Sequence, residues 1–287
     1  MTPFELLSPA SLREAIALLD PDDPSVRPLG GGTALMLMMK AGVFRPARLV
    51  SLRAIEPKYS TVEAASGGGL RIGALATLSA LERSPLVKRE APVIAETLLT
   101  LANVRVRNVA TLGGSLAHGD PHMDLPPVMA ALGATVCATG PAGSREIPAD
   151  ALITGYYETA LARDELISEI VVPTQGDRRA AYLKLTTRSV DDWPALGVAV
   201  VLSMDGPKVR EARVVASAAT EAPQRLSGAE SVLKGARIDD KVLARAGEAA
   251  ADEAATVSGV HSSAAYRKAL LRVAVGRAVR KALGGKA

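Results

Sequence analysis

The chain has 287 residues, 48% apolar and 22% charged, which is enough for a sizeable core and, at about 150 residues per domain, points to two domains. Its 34 Lys and Arg against 30 Asp and Glu leave +4, too small an excess to hold a nucleic-acid backbone, and eight aromatic residues are too few for a stacking platform on single strands. One cysteine, Cys137, excludes an intramolecular disulfide, a cysteine-ligated iron–sulfur cluster and a four-cysteine zinc site, so redox chemistry here needs an organic cofactor.

The opening residues lack the pattern of a secretory signal, and the longest apolar runs, such as Ala34 to Met39, fall far short of the ~20 residues of a membrane span. A cytoplasmic protein is expected. Ser11 to Glu14 is a capping box that opens a short amphipathic helix stopped by Pro21. Val26 to Leu29 reads as a strand that runs into Gly30-Gly31-Gly32, after which Thr33 can cap an apolar helix from Ala34 to Ala41.

Strands are predicted over Arg48 to Leu52, Thr61 to Ala64 and Leu70 to Gly73, the last two joined by a hairpin turn through Ser66 to Gly69. Helices follow at Leu78 to Glu82 and Pro92 to Ala102. The polar stretch Arg105 to Thr111 then leads into a second glycine turn, Gly113-Gly114, followed by a helix at Pro126 to Leu132 and a strand at Ala134 to Ala138. From Leu166 the texture becomes strand-rich: Leu166 to Val172, Ala181 to Thr187, Ala195 to Ser203 and Val209 to Ala216, with helical material closing the chain. Gln175-Gly176-Asp177 is the best candidate linker, dividing the chain into residues 1–175 and 176–287, and the fold class is α+β.

A glycine turn after a strand lets backbone N–H groups approach a phosphate, and a following helix start adds a favourable dipole. Gly30 to Thr33 fits that description, as does Thr111-Leu112-Gly113-Gly114-Ser115 with its two hydroxyls. Either loop alone can be a plain tight turn; two together suggest a diphosphate. Asp124 reads equally as an acceptor for ribose or adenine groups and as the N-cap of the helix that follows. The histidines His118, His122 and His261 form no H-E-x-x-H pattern.

These loops, Leu29-Gly30-Gly31-Gly32-Thr33-Ala34 with Lys40 following and Ala110 to Ser115 with Pro121 and Asp124 following, resemble the FAD-binding medium subunit of the molybdenum hydroxylases, the xanthine dehydrogenase and carbon monoxide dehydrogenase group. The resemblance covers essentially the whole chain and extends to the flavin subunit of 4-hydroxybenzoyl-CoA reductase, without the cysteine-rich insertion of that subunit. It implies a two-subdomain FAD-binding domain of the PCMH type, followed by a small domain of antiparallel sheet with a helical bundle. It also implies non-covalent FAD, held at the pyrophosphate by Leu29, Gly30, Gly31, Gly32, Thr33, Ala34, Thr111, Leu112, Gly113, Gly114 and Ser115, and on the ribose and adenine side by Asp124. Ile167 is then an apolar flavin contact, and Lys184 a cation near the flavin ring that favours its anionic reduced form. Leu101 stands where some xanthine dehydrogenases stack a phenylalanine. Trp193 either covers the ring edge or, as the favoured reading, sits in the domain-interface core, while His118 and His122 are loop residues near the cofactor or at a subunit surface.

The implied function is electron relay: a large partner subunit holds molybdopterin and oxidises the substrate, a small one holds two 2Fe–2S clusters, and the flavin passes electrons to an external acceptor. Two other readings stay open, a stand-alone flavin oxidase or reductase of the same superfamily and a non-catalytic basic adaptor. The adaptor is suggested by charge: Arg267, Lys268, Arg272, Arg277, Arg280, Lys281 and Lys286 place seven cations and no acid after residue 263. That makes an acidic body with a basic closing helix, whose Leu270, Leu271, Val275 and Val279 suggest docking.

Overall fold

Ser11 accepts the Glu14 N–H at 3.1 Å and Glu14 accepts the Ala10 N–H at 2.8 Å, so the first helix starts where the capping box predicts. The computed structural model describes residues 2–259 and 262–285; His261 and Lys286 lie outside them. Strand β1 (Glu5–Leu7), helix α1 (Leu12–Ala17), strand β2 (Val26–Leu29), helix α2 (Thr33–Lys40) and strand β3 (Arg48–Ser51) form a first unit, a parallel sheet in the order β1-β3-β2. Leu12, Ala15 and Ile16 of α1 close its core over Val26, Val50 and Leu52. Of α2 only Met39 is buried, which leaves most of an apolar helix unclaimed by this core.

The second unit runs from β4 (Val62–Ala64) and β5 (Leu70–Gly73) through helices α3 (Leu78–Arg83), α4 (Pro85–Glu90), α5 (Pro92–Leu98), α6 (Val104–Arg107), α7 (Leu112–Ala117) and α8 (Leu125–Leu132). It continues with β6 (Thr135–Gly140), β7 (Gly143–Pro148), α9 (Ala149–Leu152), the ribbon β8 (Ile153–Gly155) and β9 (Glu158–Thr159), and β10 (Leu166–Val172). The sheet order is β4-β5-β10-β6-β7, antiparallel throughout, so the last strand of the unit lies at its centre. Two expectations are corrected here. The helix from Pro92 ends at Leu98 rather than Ala102, because Arg107 takes the carbonyls of Leu101 (2.9 Å) and Ala102 (2.6 Å) and Ala102 turns to φ +48°. Gly113 and Gly114 are not a turn: they lie in the first turn of α7, whose N-cap Thr111 accepts the Gly114 N–H at 3.1 Å.

The third unit is an antiparallel meander of β11 (Arg179–Leu185), β12 (Leu196–Asp205), β13 (Lys208–Ser217) and β14 (Gln224–Arg225), backed by α10 (Ser227–Leu233), α11 (Asp240–Glu253) and α12 (Ala264–Ala282). Its sheet is buried on both faces. Val198, Val200, Leu202 and Val214 meet the helices, whereas Tyr182, Ala199, Val201 and Val215 join the core of the second unit, where α8 packs on β12 and β13. That explains the unbroken apolar run of β12. The chain enters this unit through a pinned turn: Gln175 is buried, donates its N–H to the Glu90 carbonyl and accepts the Val93 N–H at 3.4 Å.

The basic closing helix is turned inward. Leu271, Val275 and Val279 lie in the core against the meander, Arg267 is buried on the carbonyls of Ala218 and Val257, and Lys268, Arg272 and Arg280 pair with Asp252, Glu248 and Asp240 of α11. The docking that its apolar residues suggest is onto its own domain.

Candidate functional site

The first loop and the segment before the second touch directly. A Cβ on Gly31 would lie 2.1 Å from the Val109 carbonyl oxygen and 2.7 Å from the Ala110 Cα, so only glycine permits this approach. Gly32 follows at φ +72° and stands at the N-cap of α2 with no side-chain cap; Thr33, expected to cap the helix, is its first residue instead. The first-turn N–H groups of α2 are therefore left without side-chain acceptors, whereas those of α7 are taken: Leu112 donates to the Ala76 carbonyl at 3.0 Å, Gly113 to the Ala74 carbonyl at 2.8 Å and Gly114 to the Thr111 hydroxyl at 3.1 Å.

Both loops line one cleft of about 530 Å³. Its wall includes Leu29 to Ala34, Thr111, Gly113 to Ser115, Asp124, Ile167 and Lys184, which is thirteen of the fourteen residues singled out from the sequence. Leu112 is the exception: its side chain is fully buried in the second unit's core. Lys40, at the exposed end of α2, is also off the cleft. Apolar side chains of Leu35, Met38, Phe44, Leu75 and Leu101 complete the wall, so unpaired backbone donors share one cavity with a broad apolar surface.

Asp124 and Lys184, which the resemblance sends to different parts of the cofactor, are bonded to each other. Lys184 Nζ donates to Asp124 Oδ2 at 3.0 Å and to the Thr100 carbonyl at 2.9 Å, and the Tyr182 hydroxyl donates to Asp124 Oδ1 at 2.8 Å. Asp124 occupies the N-cap position of α8 but makes no cap hydrogen bond, so its carboxylate serves the cleft and not the helix. Burial pushes this carboxyl above the ordinary carboxylate range, opposed by the Lys184 charge and the Tyr182 hydrogen bond. Burial beside Asp124 likewise raises the Tyr182 hydroxyl, which stays a donor.

A second polar cluster reaches the same wall through His118, His122, Tyr157 and Trp193, with Asp120 buried behind them. Asp120, 1% exposed, receives the His122 backbone N–H at 2.9 Å on Oδ1, with His122 Nδ1 also 2.9 Å away. Burial works to raise Asp120, but the hydrogen bonds and charge of His122 outweigh it and hold the carboxyl below its usual value. His118 is pushed down by burial, with Asp120 opposing, and its ring meets Tyr157 edge-on at 5.1 Å. Trp193 corrects the favoured sequence reading: it is 60% exposed at the cleft, its ring stacked on His122 at 6.3 Å and 28°, and is no part of an interface core. Sequence reasoning missed Asp120 and Tyr157; the only local signal was the D-P-H-M-D run itself. Among the described residues no cluster of His, Cys, Asp and Glu could hold a metal ion.

An uncapped helix start beside a second one, joined to an apolar wall, fits a cofactor with a pyrophosphate and a flat ring. Known proteins agree with that chemistry. Residues 2–175 match the FAD-binding domain of molybdopterin dehydrogenases, and residues 181–282 match the C-terminal domain of CO dehydrogenase flavoproteins. The carbon monoxide dehydrogenase medium chain of Afipia carboxidovorans is 35% identical over 280 residues, 97% of this chain and 96% of that one. The nicotine 6-hydroxylase medium subunit of Paenarthrobacter nicotinovorans is 33% identical over 272 residues, 95% of this chain and 94% of that one. Among solved structures, reconstituted CO dehydrogenase from Oligotropha carboxidovorans superposes with a TM-score of 0.93 at 33% identity, covering 99% of this chain and 98% of that one. Two matched domains in order, over nearly the full length, together with a cleft suited to the cofactor, make this chain a member of the FAD-binding medium-subunit family of the molybdenum hydroxylases.

Proposed function

We propose that this chain is the FAD-carrying electron-transfer subunit of a heteromeric molybdenum-containing hydroxylase or dehydrogenase. Its partners are a large molybdopterin subunit, where substrate is oxidised, and a small subunit with two 2Fe–2S clusters; with Cys137 as its sole cysteine the chain supplies no cluster of its own. FAD, when bound, supplies the means of taking electrons singly and releasing them in pairs.

The observation that carries the reading is the meeting of the two loops at Gly31 and Val109, which sets two helix starts side by side on one cleft. Residues Gly30 to Ala34 hold the pyrophosphate through backbone N–H groups, while the second loop, whose N–H groups from Leu112 to Ser115 are bonded within the protein, contributes the Thr111 and Ser115 hydroxyls and the close approach of Gly113 and Gly114. Ile167 and Leu101 offer apolar contact to the ring, and Trp193 screens it from water at the cleft mouth. Asp124 and Lys184 act as a neutral unit, so the pair presents a local dipole in place of the lone cation that the sequence suggests. The domain boundary near residue 175 and the cytoplasmic location belong to the same proposal; no helix among the described residues is long and apolar enough to cross a membrane.

The test is the isolated complex. Co-expressed with its partners, the protein should carry flavin, iron and molybdenum together. Flavin without either metal would favour a stand-alone flavin oxidase, and a preparation without flavin after incubation with FAD would overturn both readings.

A further inference from the structure

Among the ionisable groups on the cleft wall, His122 is an imidazole held at one nitrogen by a buried carboxylate. Asp120 accepts from it on Oδ1, while Oδ2 is buried and has no hydrogen-bond partner among the described residues. An ionised carboxylate only accepts, which places the imidazole proton on Nδ1 and leaves Nε2, on the opposite ring edge, as a base. The ring is fixed on its face by Trp193, and its side chain is 23% exposed.

The neighbouring groups are otherwise engaged. Asp124 and Lys184 hold each other, burial keeps His118 neutral, and burial and Asp120 keep the Tyr157 hydroxyl protonated. Asp191 lies exposed at the same rim as Trp193, and Arg27 of β2 is the cation that the first unit brings to the cleft. Imidazole is also the side chain suited to exchange protons near neutral pH.

We propose that His122, positioned by Asp120, exchanges the proton that accompanies an electron pair entering and leaving FAD in this cleft. The inference rests on FAD binding here. Iron–sulfur clusters deliver electrons alone, whereas fully reduced flavin holds two electrons and at least one proton more than the oxidised form. His122 protonated on Nε2 gives that proton and becomes neutral. When an acceptor removes the electrons alone, the proton returns to Nε2; when it removes a hydride, the partly exposed imidazole recovers the next proton from solvent. His122 is the exchanging group and Asp120 a positioning residue.

Reduced-minus-oxidised infrared difference spectra of the purified complex, with and without isotope-labelled histidine, test this directly. Label-sensitive imidazole bands are expected in the wild type, absent in His122→Gln and shifted in Asp120→Asn, at unchanged flavin content. Flavin bleaching in a single turnover should slow about 100-fold in His122→Gln and recover with added imidazole, as expected for loss of a general acid. Absence of imidazole bands from the flavin-loaded wild type, or their persistence in His122→Gln, overturns the assignment. Should His122→Gln lose FAD, unshifted bands in Asp120→Asn do so. A wild-type complex devoid of flavin overturns the proposed function instead.

Discussion

Lys184 Nζ lies 3.0 Å from Asp124 Oδ2, with both side chains 6% exposed, so the charge that faces the cleft from the third unit is neutralised by one from the second. Breaking such a pair from one side leaves a buried charge without its partner and costs about 3–5 kcal/mol. Lys184→Met should therefore lower the thermal midpoint of the isolated chain markedly, and Lys184→Met with Asp124→Leu should recover most of the loss. A double variant as unstable as the single one would show that packing, and not charge, is what Lys184 supplies.

Tyr182 links that pair to the rest of the sheet, since its hydroxyl donates to Asp124 Oδ1 at 2.8 Å while its ring lies in the second unit's core. Tyr182→Phe keeps the ring and removes a hydrogen bond to a charged group, worth about 1.5–3 kcal/mol. The expected result is a stability loss of that size by urea titration with an unchanged m-value, and a weaker hold on FAD measured by equilibrium dialysis.

How much of this was legible in the sequence follows from which contacts are local. The two loops were visible because glycine runs after a strand and before a helix are contiguous, and the Ser11 cap was visible because its partner is three residues away. Asp124 was ambiguous because its partners Tyr182 and Lys184 are 58 and 60 residues distant, across a unit boundary that no local pattern reports. Trp193 misled for the converse reason: a lone tryptophan before an apolar strand usually packs inside, and only the position of His122 shows why this one stays at the surface. The strand Leu166–Val172 has the composition of the strands after it, yet its hydrogen bonds go to strands before it. The basic closing helix looked like a docking face because its acidic partners are on α11, also out of local reach.

Gly31 is where loop geometry and stability meet. A methyl group there would press on the Val109 carbonyl, backbone against backbone, whereas at Gly114 the first atom met is the Thr111 hydroxyl at 2.8 Å, a side chain that can give way at the cost of its cap hydrogen bond. Gly31→Ala should therefore cost roughly 1–3 kcal/mol, as overpacking does, and lower FAD occupancy. Gly114→Ala should retain more of both. Equal losses in flavin absorbance and thermal midpoint for the two variants would contradict the role given to the loop contact.

The pairs that tie α12 to α11 are exposed, so they should contribute little and be screened by salt. Replacing Lys268, Arg272 and Arg280 together by Ala is expected to cost less than about 1 kcal/mol in total, most of it abolished in molar salt. Co-purification of the variant with its partner subunits should be unchanged. Failure to assemble would restore this helix as a docking face.

Acid should destabilise the chain in two stages, and the sign follows from the cleft. Burial pushes the folded pKa of His118 below the ordinary 6.5, and His122 holds that of Asp120 below 3.8 against its burial. Both groups therefore bind protons more readily when unfolded, so stability is full above each ordinary value and falls as the pH drops below it. The first loss, beginning below about pH 6.5, belongs to His118 and should flatten in His118→Gln; the second, below about pH 4, is shared by Asp120 with Asp23, Glu90 and Glu165, whose carboxyls are also held down by their hydrogen bonds, and should become shallower in Asp120→Asn. Thermal midpoints between pH 3 and pH 8 resolve the two stages. A profile in His118→Gln that falls between pH 6.5 and pH 5 as steeply as the wild type would show that His118 is not held neutral by its burial against Tyr157.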